Sequence, residues 1–277
     1  LFRSCMMEPA YLGFGGGSGS SGDQGWDYPI NAASDANLQT YGANLATRYT
    51  QDNVIWCLLG DYDAPTPSKQ WNIVTGIRSV QPGALVTAHG TRGSSAYSRV
   101  NGLAGFNLNN IYVSTDGASH TYAATEYGRA GPMPFFAIEG PYGQAQTNLE
   151  CRRYTYQAVL GGALGGCFAG RFNLWGFGEP NANGSVGAAA ALSADLDTVD
   201  TTEQGYAYAL FSAYAWHKLQ PSTGTALITT SLSSGTTRVS PALASDGSFA
   251  MVYIPSSQNV TVAMSALVPS SVRARMY

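Results

Sequence analysis

The chain has 277 residues, 44% of them hydrophobic, which suits one large domain with a smaller one beside it. Charged residues make up only 11%, against about 25% in an average soluble protein, and the formal net charge is −3 with no run of Lys or Arg. Neither nucleic acid nor an anionic membrane is therefore indicated as a partner, and no apolar run reaches the ~18 residues that a membrane helix needs.

Gly, Ser, Thr, Asn and Tyr take the place of charge on the surface, a composition that suits an extracellular or periplasmic, carbohydrate-facing protein. In chain order, the first two-thirds alternates short apolar runs with helical patterns. The runs are CMMEPAYL (5–12), VIWCLL (54–59), ALVTAH (84–89), NIYVS (110–114), PFFAIE (134–139) and GCFAG (166–170). Between them, Leu38, Tyr41, Leu45 and Tyr49 recur at spacings of three and four, which places them on one helical face, with Ser34 or Asp35 as the cap. Trp71, Val74 and Ile77 form a second stripe, and Tyr154 to Leu164 a third helix. Strands buried on both faces and alternating with helices imply a parallel sheet covered by helices.

The glycine-rich segment 13–26 lacks the Gly-Lys-Ser/Thr ending of a phosphate loop and reads as a surface loop, as does WGFGEPNANGSVG (175–187). Tyr206, Leu210, Tyr214 and His217 then mark another helical stripe. After Pro221 the pattern changes to the short alternating strands LITTSL, FAMVYIP and NVTVAMSAL. The expected organisation is a larger α/β domain over residues 1–220 and a small β domain over 221–277. Cys5, Cys57, Cys151 and Cys167 have no CxxC spacing and no close His partner, so they read as buried free thiols rather than a zinc site. Three scattered histidines likewise indicate no metal site, and no cofactor motif is present.

The chemistry lies where the apolar runs stop. VIWCLL is followed by Gly60 and Asp61, and PFFAI delivers Glu139 before Gly140-Pro141. In a closed parallel barrel, catalytic groups sit at the C-terminal ends of the strands, so both carboxylates would reach the same mouth. That is the pair glycoside hydrolysis needs, one acid protonating the leaving oxygen and the other attacking the sugar carbon or activating water. Each acid is also compatible with a helix cap or a solvated strand end. His89 ends another strand, where it would bond a sugar hydroxyl or a loop carbonyl. Trp175 would stack on a sugar ring or sit in the core. Tyr142, three residues after Glu139, would steady that carboxylate or simply pack. His120 is a further candidate in a polar stretch.

The ordered set of segments resembles the apiosidase-like glycoside hydrolases. NVIWCLLGD is similar to that family's N-I-I-W-V-x-G-G-D strand, ALVTAHG to L-x-T-x-H, and PFFAIEGPYG to K-P-V-L-x-x-E-P-x-Y. CRRYTYQAVLGGALGGCFAGRFNLW is similar to its long helix–strand segment, and SDGSFAMVYIPSSQNVTVAMSAL to the small collagen-binding-like domain that often follows. The resemblance implies a (β/α)8 barrel that hydrolyses glycosidic bonds in plant-type polysaccharide by a retaining mechanism, without a cofactor. Its partner is an oligo- or polysaccharide, and no oligomeric state is specified. Carried over by position, Asp61 is the acid/base, Glu139 the nucleophile, Tyr142 the Tyr after the catalytic Glu, Arg153 the second Arg of the helix motif, and Trp175 the Trp after the last strand.

Three departures bear on specificity. Leu59-Gly60 replaces Gly-Gly, Gly140 replaces Pro, and Arg171 stands where a His is often found; Arg171 is taken with His89, His120, Tyr142 and Trp175 as a substrate-binding residue. The resemblance also makes MMEPAYLGFGGG the third strand, so a barrel lacking its first two βα units, with reduced activity, is expected. The alternative function is carbohydrate binding or adhesion on a barrel that no longer catalyses.

Overall fold

The computed structural model describes residues 5–10, 27–50, 53–60, 67–113, 119–131, 133–142, 147–165, 198–269 and 271–277. The glycine-rich loop 13–26, the GCFAG run, the loop 175–187, Asp61, Arg171 and Trp175 lie outside the described residues. The chain divides into two units, Leu1–Tyr112 with Met133–Ile138, and Val113–Pro132 with Glu139–Tyr277.

In the first unit, β1 (Cys5–Met7), β2 (Val54–Leu59) and β3 (Leu85–His89) form a parallel sheet in that order. Trp56, Cys57, Leu58 and Leu59 are all fully buried, which only a strand covered on both faces achieves. The register pairs Leu59 with His89, so β2 and β3 end level. β1 is shorter than the run 5–12 led us to expect. Pro9 has no amide hydrogen to give to a ladder, and the strand stops two residues before it.

A second sheet holds β4 (Ser94–Ser95), β5 (Asn109–Tyr112) and β6 (Phe135–Glu139). β4 is antiparallel to β5. Between β3 and β5, side chains replace part of the ladder. The Val86 carbonyl accepts from Leu108 N–H at 3.1 Å, while the Asn110 amide donates to Ala88 O at 2.7 Å and Thr87 Oγ1 at 2.8 Å.

Two helices cover the β1–β3 sheet, α2 (Asp35–Arg48) and α3 (Pro67–Val80), and α1 (Asp27–Ala32) precedes them. Ser34 caps α2 by accepting from Asn37 N–H at 3.2 Å. The stripe Trp71, Val74, Ile77 is buried as its spacing predicts. The α2 stripe is buried only in part, with Leu38 inside and Leu45 and Tyr49 packed at the edge of the core. Tyr41 is 41% exposed, and the buried face is Leu38, Gly42 and Ala46. The reason is how closely α2 and α3 cross. A Cβ on Gly42 would lie 2.1 Å from Ile73 O, and one on Gly76 1.9 Å from Gln39 O. Small residues let the two backbones touch, and Tyr41 is turned outward.

In the second unit, α5 (Ser119–Tyr127), α6 (Asn148–Leu160) and α7 (Val199–Ser212) pack with an antiparallel sheet of β7 (Leu219–Pro221), β8 (Ser240–Ala244) and β9 (Ala250–Tyr253); α4 (Ala96–Val100) belongs to the first unit. A capping box between Thr147 and Glu150 starts α6, earlier than Tyr154, and Gly161 caps its end before Leu164. Thr155 donates to Gln204 Oε1 at 2.6 Å, and Gln204 Nε2 donates to Cys151 O at 3.2 Å, fastening α6 to α7. The buried face of α7 is therefore Asp200, Gln204, Ala207 and Phe211. The expected stripe through Tyr206 is on the solvent side, with Tyr206 66% exposed.

Val159, Leu160, Phe211 and Ala242 form a core on which β7–β9 lie, with Tyr156 stacked on Tyr253 at 4.8 Å. Strands after residue 221 are present as expected, but the ladder is built by 219–221, 240–244 and 250–253. LITTSL and NVTVAMSAL meet through the bridge Ile228–Val262, two flanking backbone bonds, Thr229 N–H to Thr261 O and Ala263 N–H to Leu227 O, and bonds of the Thr229 and Thr230 hydroxyls to the Thr261 backbone.

Candidate active site

Glu139 is the last residue of β6 and is 5% exposed. A carboxylate taken from water is costly unless hydrogen-bonded. Here the Tyr142 hydroxyl donates to Glu139 Oε1 through a short contact. The strand end is anchored by Val113 N–H, which donates to Glu139 O at 3.2 Å. The turn between Glu139 and Tyr142 lies against α6. Cys151 Sγ donates to Pro141 O at 3.8 Å, and the Tyr154 ring covers Gly140. A Cβ at position 140 would meet that ring at 2.5 Å, so neither the proline of the related motif nor an alanine fits. One carboxylate oxygen is thus held by a phenol.

In the first unit, the residue after β1 and the end of β3 bring a different set together. His89 Nδ1 lies 3.2 Å from Glu8 Oε1, and the His89 ring packs on Tyr112 at 4.9 Å between centroids. Arg92 lies over the other ring of that pair, with its guanidinium carbon 5.8 Å from the Tyr112 centroid. Beneath them, the fully buried thiol of Cys57 is pushed well up by burial and then by the charge and hydrogen bond of Glu8. The backbone of His89 opposes this weakly. The thiol therefore stays protonated, and it donates to Leu58 O at 3.9 Å. Sequence reasoning did not single out Glu8. Its signal was the one used for Asp61 and Glu139, an acid directly after an apolar run, but the run had been read through to Leu12.

The turn that leads to Asp61 is described up to Gly60. Leu59 has φ +80° and Gly60 φ +96°, both in the left-handed region that favours glycine. This accounts for the Gly-Gly of the related strand motif, and it makes Leu59 a strained substitute, at a cost of about 1–2 kcal/mol. Gln70, 1% exposed, holds the turn. Its Oε1 accepts from Leu59 N–H and its Nε2 donates to Ala10 O, both at 2.6 Å.

His120 lies at the start of α5. It contacts Thr121, and Gln157 and Arg238 are its other neighbours; burial, then the Arg238 charge, hold its imidazole below the usual value against a Gln157 hydrogen bond. Arg153 is buried on α6. Asp61, Arg171 and Trp175 lie outside the described residues. Among the described residues, no three His, Cys, Asp or Glu side chains are placed to hold a metal. Cys57 and Cys151 are buried free thiols.

With that geometry in hand, comparison with known proteins adds the following. A family model described as "Apiosidase-like, catalytic domain" matches residues 6–218. A crystal structure of a glycoside hydrolase family 5 protein from Bacteroides vulgatus ATCC 8482 superposes with a TM-score of 0.73 at 18% identity, over 85% of this chain and 57% of that one. A second structure, described as a glycoside hydrolase, gives a TM-score of 0.75 at 18% identity, over 87% of this chain and 60% of that one. The chain thus spans less than two-thirds of the length of these structures and shares their mixed α/β fold. No curated protein matches it by sequence.

Proposed function

The chain belongs to the apiosidase-like catalytic-domain family, and from that premise we propose that it is a glycosidase working with two carboxylates and retention of configuration. Asp61 is the acid/base and Glu139 the nucleophile. Asp61 protonates the departing glycosidic oxygen while one oxygen of Glu139 attacks the anomeric carbon, giving a glycosyl-enzyme. Asp61 then takes a proton from the water that releases the sugar. The observation that carries this reading is the buried Glu139 at the end of β6 with the Tyr142 hydroxyl on its carboxylate. A phenol donating to one oxygen stabilises the anion and fixes the direction of the other.

The proposed frame is a (β/α)8 barrel whose strand ends carry His89 and, beyond the described residues, Arg171 and Trp175 as contacts for the sugar. The proposed substrate is a glycoside of plant-type polysaccharide, met outside the cytoplasm, in keeping with a surface of hydroxyl and amide groups rather than charge. The strands after residue 221 are proposed as a small accessory β domain. His120 is left out of the substrate site because its neighbours are α6 and Arg238. The test is a panel of aryl glycosides and plant polysaccharides offered to the full chain. Hydrolysis of at least one, abolished by Glu139→Ala, is the expected result. Hydrolysis unaffected by Glu139→Ala removes that residue from the mechanism, and saccharide binding without any hydrolysis makes the chain a binding module.

A further inference from the structure

Glu8 is a third acid at a strand end, and its surroundings differ from those of a carboxylate left in solvent. Its backbone is pinned from two helices. The Tyr41 hydroxyl on α2 donates to Pro9 O at 2.6 Å, and Gln70 on α3 donates to Ala10 O at 2.6 Å. Its side chain takes His89 Nδ1 on Oε1 at 3.2 Å. Yet the side chain keeps 27% of its exposure while His89 keeps 10%. A carboxylate has about four acceptor positions, and the imidazole occupies one. The pair is therefore fixed in orientation and still presents acceptor capacity outward.

We infer that Glu8 is a substrate-binding residue, accepting a hydrogen bond from a hydroxyl of a neutral sugar beside the ends of β1 and β3, with His89 as the group that holds its carboxylate in place. The sugar is neutral because a uronate carboxylate would meet the negative charge of Glu8. A hydroxyl donating to an ionised acceptor makes one of the stronger hydrogen bonds available to a saccharide. The inference rests on the glycosidase reading for its substrate, but not on the roles of Asp61 and Glu139.

The experiment uses the full chain, its Glu8→Gln variant, and the best-cleaved aryl glycoside together with its series of monodeoxy analogues. Glu8→Gln keeps the shape and removes the charge. It should lower kcat/KM on the parent glycoside roughly ten- to a hundredfold, mainly through KM. For one monodeoxy analogue the native chain and Glu8→Gln should be equal, because the hydroxyl that Glu8 receives is gone. A merely structural Glu8 would lower activity on every analogue by the same factor, and that result overturns the inference, as does unchanged kcat/KM on the parent. If the native chain hydrolyses no glycoside of the panel, the glycosidase reading fails by itself. Binding of the free sugars, followed by tryptophan fluorescence, then decides on Glu8. Weaker binding in Glu8→Gln supports the inference, and equal or absent binding in the native chain overturns it.

Discussion

Single side chains decide most of what this site can do. Tyr142 donates its hydroxyl to the carboxylate of Glu139. Tyr142→Phe removes one charge-assisted hydrogen bond, worth about 1.5–3 kcal/mol. The expected outcome is a kcat lower by roughly ten- to a hundredfold with an unchanged circular dichroism spectrum; an unaltered kcat would show that the phenol does not touch the reacting carboxylate. Gly140 faces the Tyr154 ring, with 2.5 Å left for a Cβ. Gly140→Ala should cost about 1–3 kcal/mol, read as a lower urea midpoint. Gln70 satisfies two buried backbone groups on neighbouring strand ends. Gln70→Leu leaves a donor and an acceptor unmet and should destabilise by about 2–4 kcal/mol, lowering activity along with it. Glu139 at its strand end was legible in the sequence because an apolar run stops there at a carboxylate. Glu8 was not, because Pro9 ends the strand silently and the apolar residues resume after it.

Elements were legible where their pattern came from burial of large side chains. Trp71, Val74 and Ile77 marked α3 correctly, and VIWCLL marked β2 to the residue. The buried face of α2 was legible at Leu38 but hidden at Gly42 and Ala46, whose small side chains give little hydrophobic signal. Gly76→Ala tests that crossing. Alanine is the better helix former by about 1 kcal/mol, yet its Cβ would sit 1.9 Å from Gln39 O, a backbone atom that cannot swing away. A net loss of about 1–3 kcal/mol is expected on chemical unfolding, and a gain would mean that α2 and α3 cross less closely. The face of α7 was misread for a related reason, since Gln204 is buried as a partner of α6 rather than as an apolar group. Between α5, α6 and the C-terminal strands, His120 carries a pH signature. Its imidazole is held below the usual value of 6.5, chiefly by burial and then by the Arg238 charge. The unfolded chain therefore takes up the proton first as pH falls. The stability from neutral His120 is present above about pH 6.5 and is lost progressively below it. His120→Gln should flatten the fall of Tm between neutral and mildly acidic pH, and an unchanged profile would contradict the assignment.

For the whole molecule, the alternation of apolar runs and helical stripes already gave the mixed α/β class, and the ordered motifs gave the family that matches residues 6–218. The C-terminal strands were foreseen in kind but not in register. Short alternating segments pair by packing against Tyr156 and Phe211, which lie far away in sequence. The central claim is that Asp61 and Glu139 divide acid and nucleophile between them. It is tested most directly by kcat/KM of Asp61→Ala and Glu139→Ala on aryl glycosides whose leaving groups differ in acidity, in the full chain. The account predicts that Asp61→Ala loses hydrolysis of glycosides with poor leaving groups but keeps it for those that depart without a proton, while Glu139→Ala loses both. The reverse pattern would exchange the roles, and full activity in either variant on every substrate would contradict the account.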